Sequence, residues 1–110
     1  MSDEHSLLDI TEVRDAGRVR MRLRGELDLA SAPTLSDRLR SLREGGEPVV
    51  LDLDELEFID MSGLRVLLAA SDEASQDGWS FAVTRGSAQV RRLIGLVRLD
   101  RQLPLDGDMR

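Results

Sequence analysis

Residues 18–24 alternate strictly between arginine and an aliphatic side chain, and this pattern restricts the fold more than any other part of the chain. Val19, Met21 and Leu23 recur with a period of two, which is the spacing of a strand that buries one face. The arginines between them would lie on the opposite face. We expect that face to be a solvated surface, balanced by acids such as Glu12 on a neighbouring strand. A net charge of −6 opposes binding of a polyanion there.

Strand and helix patterns alternate along the rest of the chain. A strand is predicted over 7–14, followed by a turn at 15–17. Further elements are predicted as helices from Ser31 to Gly45-Gly46, from Ser62 to Gln76 and from Ser87 to Gly95, and as strands over 49–53 and 79–83, with a possible edge strand at 103–105. This alternation predicts an α/β fold with a mixed, mostly parallel sheet of about four to five strands, an antiparallel N-terminal hairpin and three or more helices. We expect one domain over residues 1–110, with an ordered core of about 7–105.

The composition excludes several classes of catalytic site. The chain has no cysteine and no lysine, and His5 is its only histidine. Thiolate metal sites and nucleotide-hydrolysing loops that need a lysine therefore lack their residues. A serine–histidine–acid triad needs a rigidly held histidine, and we expect His5 to lie in a tail that cannot hold it so. Acids cluster over 52–57, but the spacing of a calcium-binding loop is missing, so we interpret this segment as a solvated acidic loop. We expect no enzymatic activity, no metal and no cofactor.

The charge and the apolar pattern also bear on location and partners. Apolar runs are only a few residues long, too short to cross a bilayer. The acidic start of the chain lacks the apolar core of a signal peptide. We expect a cytoplasmic protein that is a monomer when free and that binds neither nucleic acid nor membrane directly.

Residues 58–64 contain the strongest candidate for a functional site. The apolar pair Phe58-Ile59 is followed by Asp60, and a helical pattern begins near Ser62. Backbone N–H groups in the first turn of a helix are unpaired and favour negative charge. Ser62 can therefore cap the helix, which is the simpler interpretation, or carry a phosphate. Gly63 is unfavourable in a first helical turn, and it favours an accessible hydroxyl because it leaves the backbone bare for another molecule.

Three segments, taken together and in order, resemble the STAS-domain anti-sigma factor antagonists, also called anti-anti-sigma factors. They are Gly25-Glu26-Leu27-Asp28, Val49-Val50-Leu51-Asp52-Leu53 and Asp60-Met61-Ser62-Gly63-Leu64, within a resemblance that runs from about Leu8 to Leu105. The resemblance implies a STAS fold and a protein that binds an anti-sigma factor and so frees a sigma factor. The anti-sigma factor is usually also a serine kinase of the histidine-kinase-like ATPase fold, which phosphorylates the antagonist and thereby releases it. A PP2C-type phosphatase resets the cycle.

The resemblance also implies roles for individual residues. Ser62 matches the phosphorylated serine, Asp28 matches an acid of a neighbouring loop associated with phosphorylation and partner binding, and Asp60 opens the signature. Met61 stands where the family commonly has a serine, and Arg65 where small residues are frequent. The expected partner-binding residues are Asp28, Ser31, Asp60, Met61, Ser62, Gly63 and Arg65. The alternative is a STAS module of another complex, such as a lipid transporter or a stressosome-type signalling assembly.

Overall fold

A computed structural model describes residues 7–96 of the chain. Its elements are β1 (Leu8–Asp15), β2 (Arg18–Leu27), α1 (Ala32–Glu44), β3 (Val49–Ile59), α2 (Met61–Asp77), β4 (Phe81–Val83) and α3 (Ala88–Leu96). The sheet order is β1-β2-β3-β4, with β1 antiparallel to β2 and the other two pairs parallel. The predicted α/β class, the element order and the antiparallel start are confirmed, whereas the possible strand at 103–105 lies outside the described residues.

The alternation along β2 directs its aliphatic residues into the core. Val19, Met21 and Leu23 are each at most 1% exposed. Helices α1 and α2 add leucines at helical spacing to the same cluster, namely Leu35, Leu39, Leu42, Leu64 and Leu67. Each fully buried aliphatic side chain contributes about 1.5–3 kcal/mol relative to an exposed one, so this cluster holds the helices on the sheet.

The arginine row of β2 is balanced by acids of β3, and the expectation that Glu12 would balance it is wrong. Glu12 pairs with Met21 in the antiparallel ladder, so it lies on the helix-covered face. There it accepts a hydrogen bond from Nε of Arg38 in α1 at 2.8 Å. The row itself forms ion pairs across the parallel strands: Arg20–Asp52 at 3.1 Å, Arg22–Asp52 at 3.5 Å and Arg24–Glu55 at 3.6 Å.

Strand β3 continues through residues 55–57, which were predicted as a solvated acidic loop. The prediction is wrong because Leu56 and Ile59 are buried core residues that pair with β2. Register shifts in the β2–β3 ladder accommodate the irregular spacing of apolar residues in this half of the strand. Asp52 of the same acidic cluster is itself buried against the arginines. Within residues 7–96 no group of acidic or histidine side chains is arranged to hold a metal ion.

A hydrogen bond from the Trp79 side chain links the amino ends of β3 and β4. Trp79 lies before β4, so the predicted strand over 79–83 starts two residues too early. Its ring stacks on Phe81 with centroids 5.2 Å apart, and its Nε1 donates to the Glu47 carbonyl at 2.7 Å. The Glu47 carboxylate accepts a hydrogen bond from Arg14, which lowers the pKa of Glu47. These contacts close the end of the sheet opposite to Ser62.

Helix α3 (Ala88–Leu96) includes Gly95, so the prediction that Gly95 ends the helix is wrong. The reason is conformational, since Gly95 does not adopt the left-handed backbone of a terminating glycine. Gly78 does adopt it after α2, with φ of 78°. Within the described range, no helix combines the length and the apolar character needed to cross a membrane.

Candidate functional site

The candidate site lies where β2 and β3 end. Leu27 and Ile59 are paired neighbours in these parallel strands. The next residues, Asp28 and Asp60, therefore leave the sheet at the same edge, and the Asp60 N–H donates to the Leu27 carbonyl at 3.1 Å. The loop after β2 and the first turn of α2 consequently lie side by side. Carboxyl ends of parallel strands are a frequent place for binding sites in α/β folds.

Asp60, and not Ser62, caps helix α2. Its backbone is extended, with φ of −115° and ψ of −173°, and its Oδ1 accepts from the Gly63 N–H at 3.1 Å. Its carbonyl accepts the first helical hydrogen bond, from the Leu64 N–H at 3.0 Å. The interpretation of Ser62 as the N-cap is wrong, because Asp60, two residues earlier, already accepts the hydrogen bond from the Gly63 N–H in the first turn.

Ser62 is the second residue of α2 and is partly exposed. Within residues 7–96 its hydroxyl has no hydrogen-bond partner. The hydroxyl is therefore not occupied in capping the helix that carries it. The unpaired N–H groups around it and the helix dipole favour an added negative charge by about 0.3–1 kcal/mol. The position can chemically accept a phosphoryl group without conflict with the local backbone.

Gly63 is required by the packing of α2 against the strand ends. A Cβ at this position would lie 2.7 Å from Cγ of Leu27 and 2.9 Å from both Cγ1 of Ile59 and the Leu27 carbonyl oxygen. Gly63 is itself buried. The expectation that it leaves the backbone bare for another molecule is wrong, since residues of the chain already fill that space. Its contact with a partner stays a prediction.

The loop after β2 is held by Asp28 and Ser31. Oδ1 of Asp28 accepts from the N–H groups of Ala30 at 3.1 Å and Ser31 at 3.2 Å. The Ser31 hydroxyl donates to the Glu26 carbonyl at 2.9 Å and accepts from the Asp28 N–H at 3.0 Å. Ser31 occupies the predicted N-cap position of α1, but it makes no side-chain capping bond to that helix. It is also fully buried, so its side chain cannot touch a partner in this conformation.

Exposed apolar side chains accompany the acids at this edge. Met61, a predicted partner-binding residue, is 45% exposed, and sequence reasoning missed Leu29 at 74% and Phe58 at 49%. The signal available for Leu29 was a leucine directly after Asp28 in a segment with no helical or strand pattern. Large exposed apolar groups are typical of protein-binding surfaces when they cluster. The edge thus combines exposed apolar side chains with carboxylates.

Arg65 lies on the exposed surface of α2, three residues after Ser62 and four after Met61. These spacings place the three side chains on neighbouring positions of one helix surface. Among the residues that the structure describes, Arg65 forms no ion pair. The structure therefore brings Asp28, Asp60, Met61, Ser62 and Arg65 to one surface, whereas Ser31 and Gly63 lie beneath it.

Comparison with known proteins identifies similar sequences and folds. Residues 10–106 match the family described as "Mlab, STAS domain". "Osmosensory protein A" of Mycobacterium tuberculosis is 32% identical over 73 residues, which cover 66% of this chain and 46% of that protein. "Anti-sigma-F factor antagonist RsfB" of the same species is 34% identical over 82 residues, which cover 74% of this chain and 66% of that protein.

The chain thus spans from about half to just under two thirds of the length of these two curated relatives. The fold agrees with a crystal structure described as that of an anti-sigma factor antagonist from Mycobacterium paratuberculosis. That structure is 28% identical, has a TM-score of 0.79, and the match covers 91% of this chain and 86% of that chain.

Proposed function

This chain belongs to the STAS domain family, and from that premise we propose that it is an anti-sigma factor antagonist. In its unphosphorylated form it binds an anti-sigma factor and so frees a sigma factor. The similarity to RsfB and to the Mycobacterium paratuberculosis antagonist supports this proposal. The single observation that carries it is the uncommitted Ser62 hydroxyl at the start of α2, beside the Asp28 loop.

Phosphorylation of Ser62 ends the interaction in this proposal. The anti-sigma factor acts as a serine kinase of the histidine-kinase-like ATPase fold, and a PP2C-type phosphatase removes the phosphate. In the first step Ser62 Oγ loses its proton and bonds to the γ-phosphorus of ATP, and ADP leaves. In the second step water hydrolyses the phosphoester. The partners supply the catalytic groups, so this chain is a substrate and a binding module rather than an enzyme.

Electrostatic repulsion at the interface accounts for release. Phosphorylation adds about −1.5 to −2 charges at neutral pH. The new charge lies at the same edge as the carboxylates of Asp28 and Asp60. A partner surface that fits the neutral hydroxyl would have to bury this charge beside them, and like charges forced together at an interface cost several kcal/mol. That cost corresponds to about a hundredfold or more in Kd.

We expect Ser62→Ala to retain the partner and Ser62→Asp to lose it. Each variant serves as bait in extracts of the native cell, and mass spectrometry identifies captured proteins. Ser75→Ala and Ser75→Asp are matched controls, because Ser75 is an exposed serine near the other end of α2, and both should capture the partner equally. Equal capture by the two Ser62 variants would remove Ser62 from the switch. Incubation of the captured kinase with ATP should add phosphoryl mass at Ser62 only.

The second candidate is a STAS module of another complex, such as a lipid transporter or a stressosome-type signalling assembly. The similarity to a protein named for osmosensing, of which this chain covers less than half, favours keeping it. The same capture experiment separates the two functions. A partner without a histidine-kinase-like ATPase domain, retained by both Ser62 variants, would favour the second candidate.

We also propose that the free protein is a cytoplasmic monomer without direct contact to nucleic acid or membrane. Its net charge of −6 supports this, because DNA and anionic bilayers carry the same sign. Light scattering after size-exclusion chromatography tests the oligomeric state, with one chain of 12.2 kDa expected. Elution as a stable dimer at micromolar concentration would contradict it.

A further inference from the structure

The loop between β2 and α1 presents a large apolar side chain that nothing in the described structure covers. Leu29 is 74% exposed, the most exposed of the large apolar residues that the structure describes. The N–H of its neighbour Asp28 donates to the hydroxyl of the buried Ser31, and the N–H of its other neighbour, Ala30, donates to Asp28 Oδ1. These hydrogen bonds already restrict the backbone around Leu29 in the free protein. Binding through Leu29 therefore loses less conformational entropy than binding through a leucine on a mobile loop.

The hydrogen bonds of Asp28 leave one carboxylate oxygen for an external donor. Oδ1 receives both loop N–H groups, from Ala30 and from Ser31. Within residues 7–96, Oδ2 receives no hydrogen bond. The Ser31 hydroxyl lies 3.2 Å from Oδ1, but its single proton has a shorter contact, 2.9 Å to the Glu26 carbonyl. Ser31 therefore acts on Asp28 mainly through the loop backbone, by accepting from the Asp28 N–H.

We propose that Ser31 is a positioning residue that holds Asp28 and Leu29 in one conformation for recognition by the partner. The proposal rests on the proposed function and specifies its recognition chemistry. The partner offers an apolar pocket for Leu29 and, beside it, a hydrogen-bond donor for Oδ2 of Asp28. Removal of the buried hydroxyl leaves the Glu26 carbonyl and the Asp28 N–H without this partner, so the loop loses two of the hydrogen bonds that hold it.

The free protein tests the positioning step without any partner. Three-bond couplings to the Asp28 side-chain carbon report its χ1 angle, and amide exchange reports the hydrogen bond from Ala30. In the wild-type chain we expect one rotamer and a protected amide. In Ser31→Ala we expect averaging over rotamers and exchange at Ala30 faster by about tenfold. A single Asp28 rotamer in the folded Ser31→Ala variant would overturn the proposal.

Ser87→Ala is the matched control. The Ser87 hydroxyl also bonds the backbone on two sides, donating to the Leu56 carbonyl at 2.7 Å and accepting from the Val90 N–H at 3.3 Å. Its loss is expected to lower stability in the same way as loss of the Ser31 hydroxyl while leaving the Asp28 rotamer unchanged. Averaging of Asp28 in Ser87→Ala to the same degree would mean that general loosening, and not Ser31, controls the loop.

Asp28→Asn provides a second route if Ser31→Ala does not fold. Asparagine keeps an Oδ1 for the loop N–H groups and replaces Oδ2 by an amino group. We expect wild-type protection at Ala30 together with loss of at least about tenfold in affinity for the captured anti-sigma factor. Unchanged affinity would show that Oδ2 is not read by the partner.

A double-mutant cycle in binding separates positioning from general structure. Ser31→Ala is expected to weaken binding by about tenfold in the wild-type chain, but by less than about twofold when Asp28→Ala and Leu29→Ala are already present. Additive effects would overturn the positioning role. If no anti-sigma factor is captured, the proposed function fails, while the rotamer and exchange measurements still decide whether Ser31 positions Asp28.

Discussion

Gly63 connects the position of Ser62 to the core of the protein. The absent side chain lets the first turn of α2 approach the ends of β2 and β3, with Leu27 and Ile59 directly against it. The next residue, Leu64, is fully buried. Ser62 is therefore placed by a tightly packed neighbour on its C-terminal side and by the Asp60 cap on its N-terminal side.

We expect Gly63→Ala to lower the free energy of unfolding by about 1–3 kcal/mol, because the new methyl group meets side-chain and backbone atoms at under 3 Å. Denaturation in guanidinium chloride measures the change. Gly95→Ala is the control: among residues 7–96 no atom lies within 4 Å of a Cβ at that position, and alanine in a helix raises stability by up to about 1 kcal/mol. Equal stability of the two variants would refute the packing explanation.

Residue type alone does not decide whether Asp60 or Ser62 caps α2. Both aspartate and serine are good N-caps, and the sequence places them two positions apart at the same predicted helix start. The backbone bond from Asp60 to Leu27 of the neighbouring strand fixes the strand end, so the helix begins one residue later, at Met61. This pairing joins residues far apart in the sequence, and no local pattern contains it.

The Asp60 cap contributes to the stability of α2, and two variants separate its hydrogen bond from its charge. Asp60→Ala is expected to lower the free energy of unfolding by about 1 kcal/mol, since the Gly63 N–H loses its acceptor. Asp60→Asn should leave stability nearly unchanged, because asparagine caps about as well. Thermal and urea unfolding measure both variants. A loss in Asp60→Asn as large as in Asp60→Ala would assign the effect to charge instead of capping.

Strand β3 extends beyond its neighbour β4 because side-chain hydroxyls replace the missing strand partner. The β4 pairing ends at Leu51. Beyond it, the Leu53 N–H donates to Thr84 Oγ1 at 2.9 Å, and the Leu56 carbonyl accepts from Ser87 Oγ at 2.7 Å. Buried backbone groups need such partners, and these bonds explain how the strand continues to the candidate site.

Thr84→Val tests whether the Thr84 hydroxyl takes the place of a strand partner for the Leu53 N–H. Valine has nearly the same shape but leaves the buried Leu53 N–H unpaired, so we expect stability to fall by about 1–3 kcal/mol. Thr11→Val on the exposed surface of β1 is the matched control and should change stability by less than about 0.5 kcal/mol. Urea denaturation measures both. A neutral Thr84→Val would mean that water satisfies the Leu53 N–H.

The two ends of the parallel strands carry different kinds of residues. The amino ends of β3 and β4 are closed by Trp79 and Phe81, whereas the carboxyl ends of β2 and β3 carry the acids, the exposed apolar residues and Ser62. The core lies between the two ends and is independent of the Ser62 hydroxyl. A change of charge at Ser62 therefore acts first on the two segments beside it, the first turn of α2 and the loop after β2.

We expect phosphorylation to leave the fold unchanged. Protein carrying genetically encoded phosphoserine at position 62 is compared with the unmodified chain by amide nitrogen–proton spectra. Chemical shifts should change at the first turn of α2 and at the loop after β2, because only these segments lie beside the phosphate. Shifts spread over Val19, Met21 and Leu51 in the core would contradict a switch that works by interface electrostatics.

The order of strands and helices, the mixed sheet and the buried face of β2 follow from the sequence, because periodicity and turn residues act over a few positions. Register and close approach were decided by the tertiary structure. Asp52 rather than Glu12 balances the arginines, Ser31 is buried, and Gly63 and Gly25 are glycines because a Cβ would meet Leu27 and Leu7. Each of these features depends on contacts between residues that are distant in the sequence, and local sequence patterns carry no information about such contacts.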